Sequence, residues 1–215
     1  MALLFALGSV CFFLGSVPPY FENVDPTVVG ATFFVGSILF TSASTLQFRG
    51  SKTSTPMFSR DPDRLNWWSA GVQWMGTIAF NVTTFAALLA GLSASQEQRL
   101  VWRPDAVGSA AFLASSALAL VALHLAVSTR RDWGIAWLNM LGSVAFGIAA
   151  VAAFVLPTTG EVVSIRWVNL GTALGGVCFF IASVWMGRPV KPASVRAIDH
   201  HAGLTTDGSG RPWRS

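Results

Sequence analysis

The chain has 215 residues, of which 53% are hydrophobic and only 11% are charged, whereas about 25% are charged in an average soluble domain. Charged residues are absent over runs of roughly twenty residues and cluster between them, which is typical of a polytopic membrane protein. The net charge of +4 lies in short loops and a tail. Because no compact basic face is formed, we expect no nucleic-acid partner.

Six apolar segments predict six membrane-spanning helices, at about residues 2–17, 28–46, 66–92, 106–127, 133–156 and 167–186. Proline, glycine or paired charges mark the breaks between them. The first segment has no basic residues before its apolar run and no clear small-residue cleavage site before Val17-Pro18-Pro19. It is therefore predicted to be a membrane helix rather than a signal peptide.

The basic residues of the loops predict the orientation of these segments. With the N-terminus in the cytoplasm, the inner loops and the tail hold eleven Lys and Arg residues: Arg49, Lys52, Arg60, Arg64, Arg130, Arg131, Arg188, Lys191, Arg196, Arg211 and Arg214. The outer loops hold three, Arg99, Arg103 and Arg166. This excess follows the positive-inside rule and predicts that both termini are cytoplasmic.

A repeat relates the odd-numbered segments. Residues 7–12, 75–80 and 141–146 read LGSVCF, MGTIAF and LGSVAF. The even segments show a weaker match that pairs Gly30 with Phe34, Gly108 with Phe112 and Gly175 with Phe179. The predicted fold is an all-α membrane protein of three tandem hairpins, residues 1–47, 65–128 and 132–187, all entering the membrane from one side. Residues 188–215, rich in Pro, Gly, Ser and scattered charge, predict a flexible cytoplasmic tail.

The third segment carries the most polar face of the chain. Gln73, Thr77, Asn81 and Thr84 follow one another at spacings of four, four and three, which places them on one side of a helix. By sequence register, Asn139 and Ser143 take corresponding positions in the fifth segment, and Ser9 does so in the first. We call these seven residues the polar stripe.

The polar stripe has two interpretations. It could line a polar path or a binding pocket where the hairpins meet, with Gln73, Asn81 and Asn139 as ligand contacts. Alternatively, its hydroxyls and amides could join helices by hydrogen bonds worth about 1 kcal/mol each. Because polar helix faces in membranes usually pack together, the packing interpretation is favoured.

Catalytic and metal chemistry is not indicated. The six predicted segments contain no Asp, Glu, Lys or Arg, which disfavours proton coupling. No buried His or carboxylate is placed to activate a serine as a nucleophile. His124, His200 and His201 lack further ligands at the spacing of a metal site. His124, near the inner end of the fourth segment, suits an ordinary helix-end residue more than a proton sensor. We therefore expect neither an enzyme nor a cofactor.

Charges of both signs alternate in the predicted outer loops. The acidic residues are Glu22, Asp25, Glu97, Asp105 and Glu161, and they alternate with Arg99, Arg103 and Arg166. These residues could form ion pairs between loops, or a pore entrance that weakly attracts cations. Solvated loop charges are the ordinary explanation.

Four motifs follow one another in, or just before, the third and fourth segments: RLNWW at residues 64–68, Phe80-Asn81, LVWRPD at residues 100–105, and Gly108-Ser109. This stretch resembles the YrhK-like membrane proteins, small helical-hairpin proteins of bacteria. The resemblance covers mainly the third and fourth segments. It implies a hairpin unit in the bacterial cytoplasmic (inner) membrane and supplies no catalytic or binding residues.

The sequence therefore predicts a non-catalytic structural or accessory component of the lipid bilayer, alone, as a homo-oligomer or in a larger membrane complex. The alternative is an uncoupled channel or facilitator for a small polar solute. Such a solute would move along the helix face of Gln73, Thr77, Asn81 and Thr84.

Overall fold

The computed structural model describes residues 1–156 and 159–189, and most of these residues are helical. In chain order they form α1 (Ala2–Ser16), α2 (Pro18–Phe21), α3 (Pro26–Gly50), α4 (Pro62–Ala86), α5 (Ala94–Glu97), a π-helical turn (Gln98–Trp102), α6 (Arg103–Leu125), α7 (Arg130–Ala152) and α8 (Ile165–Gly187). From residue 190 onward, the predicted tail lies outside the described residues, as do His200 and His201.

Residues with favourable capping chemistry begin several helices. The Asp25 carboxylate accepts a hydrogen bond from the Thr27 amide at 2.8 Å, and Asp61 caps α4 in the same way. Each of these caps is followed by a proline, which has no amide hydrogen to leave unpaired in the first turn. Thr129 and Asp132 cap α7 reciprocally, with both side chains bonded to the other's backbone.

Two helices end earlier than the sequence predicted. The third predicted segment extended to residue 92, but α4 ends at Ala86, and the chain then turns through Gly91, which has a φ of 73°. The fifth was predicted to reach residue 156, but α7 ends at Ala152. There Val155 forms a single antiparallel bridge with Val162. In both places the apolar composition continues past the helix, so hydrophobicity alone predicted too long a span.

The six long helices form a closed ring. Each packs against its neighbours in the order α1, α3, α4, α6, α7, α8, and α8 returns to pack against α1. Neighbouring helices are antiparallel. Gly8 of α1 faces Gly36 of α3, for example, whereas Gly15, later in α1, faces the earlier Phe33.

Every ring helix carries a glycine followed four residues later by a buried phenylalanine. The pairs are Gly8 and Phe12, Gly36 and Phe40, Gly76 and Phe80, Gly108 and Phe112, Gly142 and Phe146, and Gly175 and Phe179. We call these the Gly–Phe pairs.

The predicted match in the second segment was wrong. Gly36 and Phe40, rather than Gly30 and Phe34, correspond to the pairs in α6 and α8. Gly30 instead lies against Leu88, and the Phe34 ring packs on Phe85 at 5.8 Å. The sequence does carry the correct signal, since GSILF at residues 36–40 matches GSAAF at 108–112.

The phenylalanines of the Gly–Phe pairs fill the centre of the ring. Rings meet edge-on within the helix pairs α1–α3, α4–α6 and α7–α8, with centroids 5.5, 5.1 and 5.3 Å apart. Phe40, Phe112 and Phe179 also contact one another at 5.7–6.3 Å. Aromatic pairs at such separations and angles attract each other. The middle of the bundle is thus a packed core.

The distribution of residue types is the reverse of that in a soluble domain. Among the described residues, the buried hydrophobic side chains are all Phe or Ala apart from Val155. Large aliphatic residues such as Leu3, Met75, Val107 and Val151 are 62–73% exposed on the outer surface. Soluble proteins bury such residues, whereas membrane helices place small residues at their contacts and apolar ones toward lipid.

Four helical stretches in the described chain are long and apolar enough to cross a membrane: α3, Ala94–Leu125, α7 and α8. By contrast, α1 is apolar but has 15 residues, and at 1.5 Å per residue it is shorter than the roughly 30 Å hydrocarbon core. α4 has 25 residues, but Gln73 and Asn81 lower its hydropathy. Length and composition therefore support four of the six predicted spans.

Candidate functional site

The polar stripe of α4 lies mainly at contacts between helices. Thr77 is 0% exposed, and its hydroxyl donates to the Trp74 carbonyl at 2.7 Å. The Thr84 and Ser37 hydroxyls lie 2.9 Å apart, which joins α4 to α3. The Gln73 amide oxygen accepts a hydrogen bond from Ser115 of α6 at 3.5 Å. These three side chains therefore bond to protein groups rather than to a water-filled path.

Asn81 differs from its neighbours in the stripe. It lies seven residues after Trp74, whose indole donates to Thr45 of α3 at 3.0 Å, so the helical period turns Asn81 toward α3 as well. Its side-chain oxygen is buried and has no hydrogen-bond partner in the described chain. An unpaired buried acceptor costs about 1–3 kcal/mol. Asn81 is therefore the member of the stripe on α4 whose buried side-chain oxygen lacks a described partner.

Ser9 and Ser143, in the other two helices of the stripe, are also buried. Ser9 donates to the Phe5 carbonyl at 2.8 Å. Ser143 bonds to Ser116 of α6 at 2.9 Å and donates to the Asn139 carbonyl at 2.8 Å. The structure thus buries Ser9 and Ser143 as it buries Thr77, each with a local hydrogen bond. This geometry favours the packing interpretation of the stripe.

A cavity of about 390 Å³ lies at one end of the bundle, where α1, α4 and α7 end and α3, α6 and α8 begin. Its floor is formed by the aromatic core residues Phe12, Phe80 and Phe146, and loop residues such as Leu92 line its rim. Of the seven residues in the polar stripe, only Thr84 lines this cavity. This cavity was therefore not predicted from the sequence.

Two carboxylates line the cavity, Glu97 and Asp105, and no Lys, Arg or His is among the described residues that line it. The Asp105 side chain is half-buried and has neither a hydrogen bond nor a charged partner among the described residues. The cavity wall is otherwise mainly apolar and aromatic. An apolar pocket with a few converging polar groups is the usual form of a small-molecule site.

Helix α6 starts earlier than predicted, and this brings Asp105 into the cavity. The predicted segment began at residue 106, whereas α6 begins at Arg103 with Pro104 in its first turn. Asp105 lies four residues before Ser109 and so shares its face, which also lines the cavity. α6 therefore includes two charged residues, Arg103 and Asp105, that lie just before the predicted segment.

The segment before α6 sets the shape of the rim. Ser93 and Gln96 form a capping box at the start of α5. A π-helical turn follows and leads directly into α6. Such π-helical insertions are rare and are frequent at functional sites. Here the turn carries Val101, whose carbonyl accepts a hydrogen bond from Thr83 at 3.0 Å, and this contact fastens the rim to α4.

Trp102 forms a fixed aromatic wall of the cavity. Its indole nitrogen donates to the Ala150 carbonyl of α7 at 2.9 Å. The ring also stands edge-on to Phe154, with centroids 4.9 Å apart. Because these contacts join the α5–α6 segment to the end of α7 and to the residues that follow it, the position of Trp102 depends on the tertiary structure.

The remaining candidates from the sequence lie away from the cavity. His124 is exposed in the last turn of α6. The two cysteines of the chain, Cys11 and Cys178, are half-buried free thiols and do not line the cavity either. Among residues 1–156 and 159–189, no group of three His, Cys, Asp or Glu side chains could hold a metal ion. Asp25, one of the outer-loop acids, caps α3.

Comparisons with protein-family models, with curated proteins and with solved structures find no match to this chain. The site must therefore be interpreted from its own geometry.

Proposed function

We propose that the chain is a non-catalytic integral membrane protein in which all six ring helices cross the bilayer as three tandem hairpins, residues 1–47, 65–128 and 132–187. The reversed distribution of residue types carries this proposal, because phenylalanine and small residues are buried while large aliphatic residues face outward. The bias of Lys and Arg places both termini in the cytoplasm. The resemblance to YrhK-like proteins supports a location in the bacterial cytoplasmic membrane.

α1 is too short, and α4 too polar, to be identified as a membrane span from length and composition alone. Both helices lie between apolar neighbours. α1 packs along α3 and α8, and α4 packs along α3 and α6. The polar side chains of α4 are covered where they meet Ser37 and Ser115. Polar groups paired in this way cost much less in lipid than isolated ones. Both helices therefore suit a bilayer as parts of the ring.

We assign the protein a structural or accessory role. The centre of the ring is filled by the phenylalanine core, and the inner hydroxyls bond to protein groups, so the described helices offer no continuous polar path along the Gln73–Thr84 face. A facilitator would need that face in contact with water. The outer faces of the helices remain available to lipid or to a membrane partner.

Cysteine labelling tests the orientation. In a Cys11→Ala, Cys178→Ala background, single cysteines are introduced at Ser95, in the predicted outer loop, and at Lys52, in the predicted inner loop. Both positions are exposed. We expect a membrane-impermeant maleimide added to intact cells to label the Ser95 variant, and to label the Lys52 variant only after the cells are opened. Labelling of Lys52→Cys in intact cells would refute the proposed topology.

The Cys11→Ala, Cys178→Ala background also distinguishes a structural role from that of a facilitator. Cysteines at Thr77 and Asn81 should stay unreactive toward water-borne reagents from either side, since packing covers this face. Purification in mild detergent should then show a stable companion protein or a defined homo-oligomer. Reaction at both positions, together with a lone monomer, would replace the structural role with the facilitator.

A further inference from the structure

The cavity has the lining of a site for an apolar molecule. Five aromatic side chains contribute to it: Phe12, Phe33, Phe80, Phe146 and Trp102. Its volume of about 390 Å³ falls within the range of roughly 300–1,000 Å³ common among small-molecule pockets. A solute of that size would bury most of its surface against aromatic and aliphatic groups.

The charged residues that line the cavity favour a positively charged ligand. Glu97 and Asp105 are the charged residues among the described lining, and both are acidic. Asp105 has no described partner for its carboxylate. A half-buried carboxylate without a partner is unfavourable, and a cation placed beside it would supply the missing interaction.

The aromatic rings favour an organic cation over a metal ion. Ammonium groups are attracted to the faces of aromatic rings, with Trp the strongest partner. Trp102 is held by its hydrogen bond to Ala150, so little freedom is lost when a ligand packs on it. A divalent metal would need several oxygen ligands, whereas no group of three suitable side chains occurs in the described chain.

We propose that the cavity binds an organic ammonium ion whose apolar body packs on the phenylalanine floor and whose cationic group faces Asp105 and Glu97. The same chemistry occurs in free amines and in ammonium-bearing lipid headgroups. The rim is built from residues 87–102, 153–156 and 159–165, where the outer loops meet water in the proposed topology, so access is from the aqueous side. This site goes beyond the structural role, and its test in detergent does not depend on how many helices cross the membrane.

The direct test uses labelled benzyltrimethylammonium and the full-length protein in a maltoside detergent, followed by equilibrium dialysis. We expect saturable binding at one site. Choline should displace the label, whereas 3,3-dimethylbutanol, the uncharged counterpart of choline, should displace it far less. No saturable binding, or equal displacement by the alcohol, would overturn the proposal.

Substitutions locate the site. Asp105→Asn should weaken binding about tenfold, as expected when a charge-assisted contact is lost, and Glu97→Gln should weaken it in the same direction. Asp63→Asn is the matched control, because Asp63 is exposed in the first turn of α4 at the opposite end of the bundle. An equal loss in Asp63→Asn, or no loss in either cavity variant, would refute the assignment. Glu97→Gln keeps the test valid if Asp105→Asn fails to fold.

A competition experiment with lipids distinguishes a free ammonium compound from a lipid headgroup. Phosphatidylethanolamine is added to the maltoside micelles, with phosphatidylglycerol, which carries no ammonium, as the control. Unchanged binding of benzyltrimethylammonium supports a free ammonium compound. Competition by phosphatidylethanolamine alone, lost in Asp105→Asn, assigns the site to a lipid headgroup and overturns a free ammonium compound as its natural occupant.

Discussion

Gly76 of α4 and Gly108 of α6 face each other so closely that a Cβ atom added to either would lie 3.1 Å from the other's carbonyl oxygen. Gly8 and Gly36 stand in the same relation in the α1–α3 pair, at 3.0 and 3.2 Å. The absence of side chains lets the two backbones approach. This approach also brings Phe80 and Phe112 to a centroid distance of 5.1 Å.

Gly76→Ala should therefore destabilise the ring. The new methyl group would also lie 3.0 Å from the Ala111 side chain and 3.1 Å from the Phe112 ring, and overpacking of this kind typically costs about 1–3 kcal/mol. Unfolding in mixed micelles by a denaturing detergent measures the loss. Gly50→Ala is the control, because nothing lies within 4 Å of its Cβ position. Equal stability of the two variants would contradict the close approach.

Phe146→Ala should be among the most damaging core substitutions. The ring contacts Phe12, Phe80 and Phe179 at 5.3–5.8 Å, and it is 5% exposed. Truncating a buried phenylalanine typically costs about 3–5 kcal/mol. Phe58→Ala, at a position that is 92% exposed, should change the unfolding midpoint little. A similar shift in both variants would show that the phenylalanine core does not hold the ring together.

The Ser37–Thr84 hydrogen bond should couple α3 to α4. The variants Ser37→Ala, Thr84→Val and their combination form a double-mutant cycle, which isolates the pair from effects on each residue alone. We expect a coupling free energy of about 0.6–1 kcal/mol, as measured for hydrogen bonds between membrane helices. A coupling free energy indistinguishable from zero would show that the Ser37–Thr84 hydrogen bond does not hold α3 and α4 together.

Asp25 should make the stability of α3 dependent on pH in the acid range. Its hydrogen bonds with Thr27 hold the pKa of the carboxyl below its usual 3.8. Because the folded pKa is lowered, the stabilisation is fully present above pH 3.8 and is lost as the pH falls through the folded value. The difference in unfolding midpoint between the wild type and Asp25→Asn, which keeps a capping side chain, should be constant above this range and change below it. A difference that instead varies near neutral pH would contradict the cap.

The sequence by itself determined the helical class, the number of long helices and much of their order. Uncharged runs set the helices, because apolar composition does not depend on which neighbours a segment meets. The match among residues 7–12, 75–80 and 141–146 identified the odd Gly–Phe pairs. GSILF at residues 36–40 carried the same pattern in the second helix, and the prediction instead selected Gly30 and Phe34. Whether all six helices cross a bilayer stays a prediction.

The tertiary structure alone decided which polar residues meet and where a cavity is left. The polar stripe was predicted from spacing on one helix, but Ser37 and Ser115, which bond to it, come from two other helices. The cavity draws its lining from the ends of six helices and the loops between them. Asp105 gained its place there because α6 begins three residues before the predicted segment. Helical period reports the face of one helix, whereas a concave site depends on how several helices end against one another.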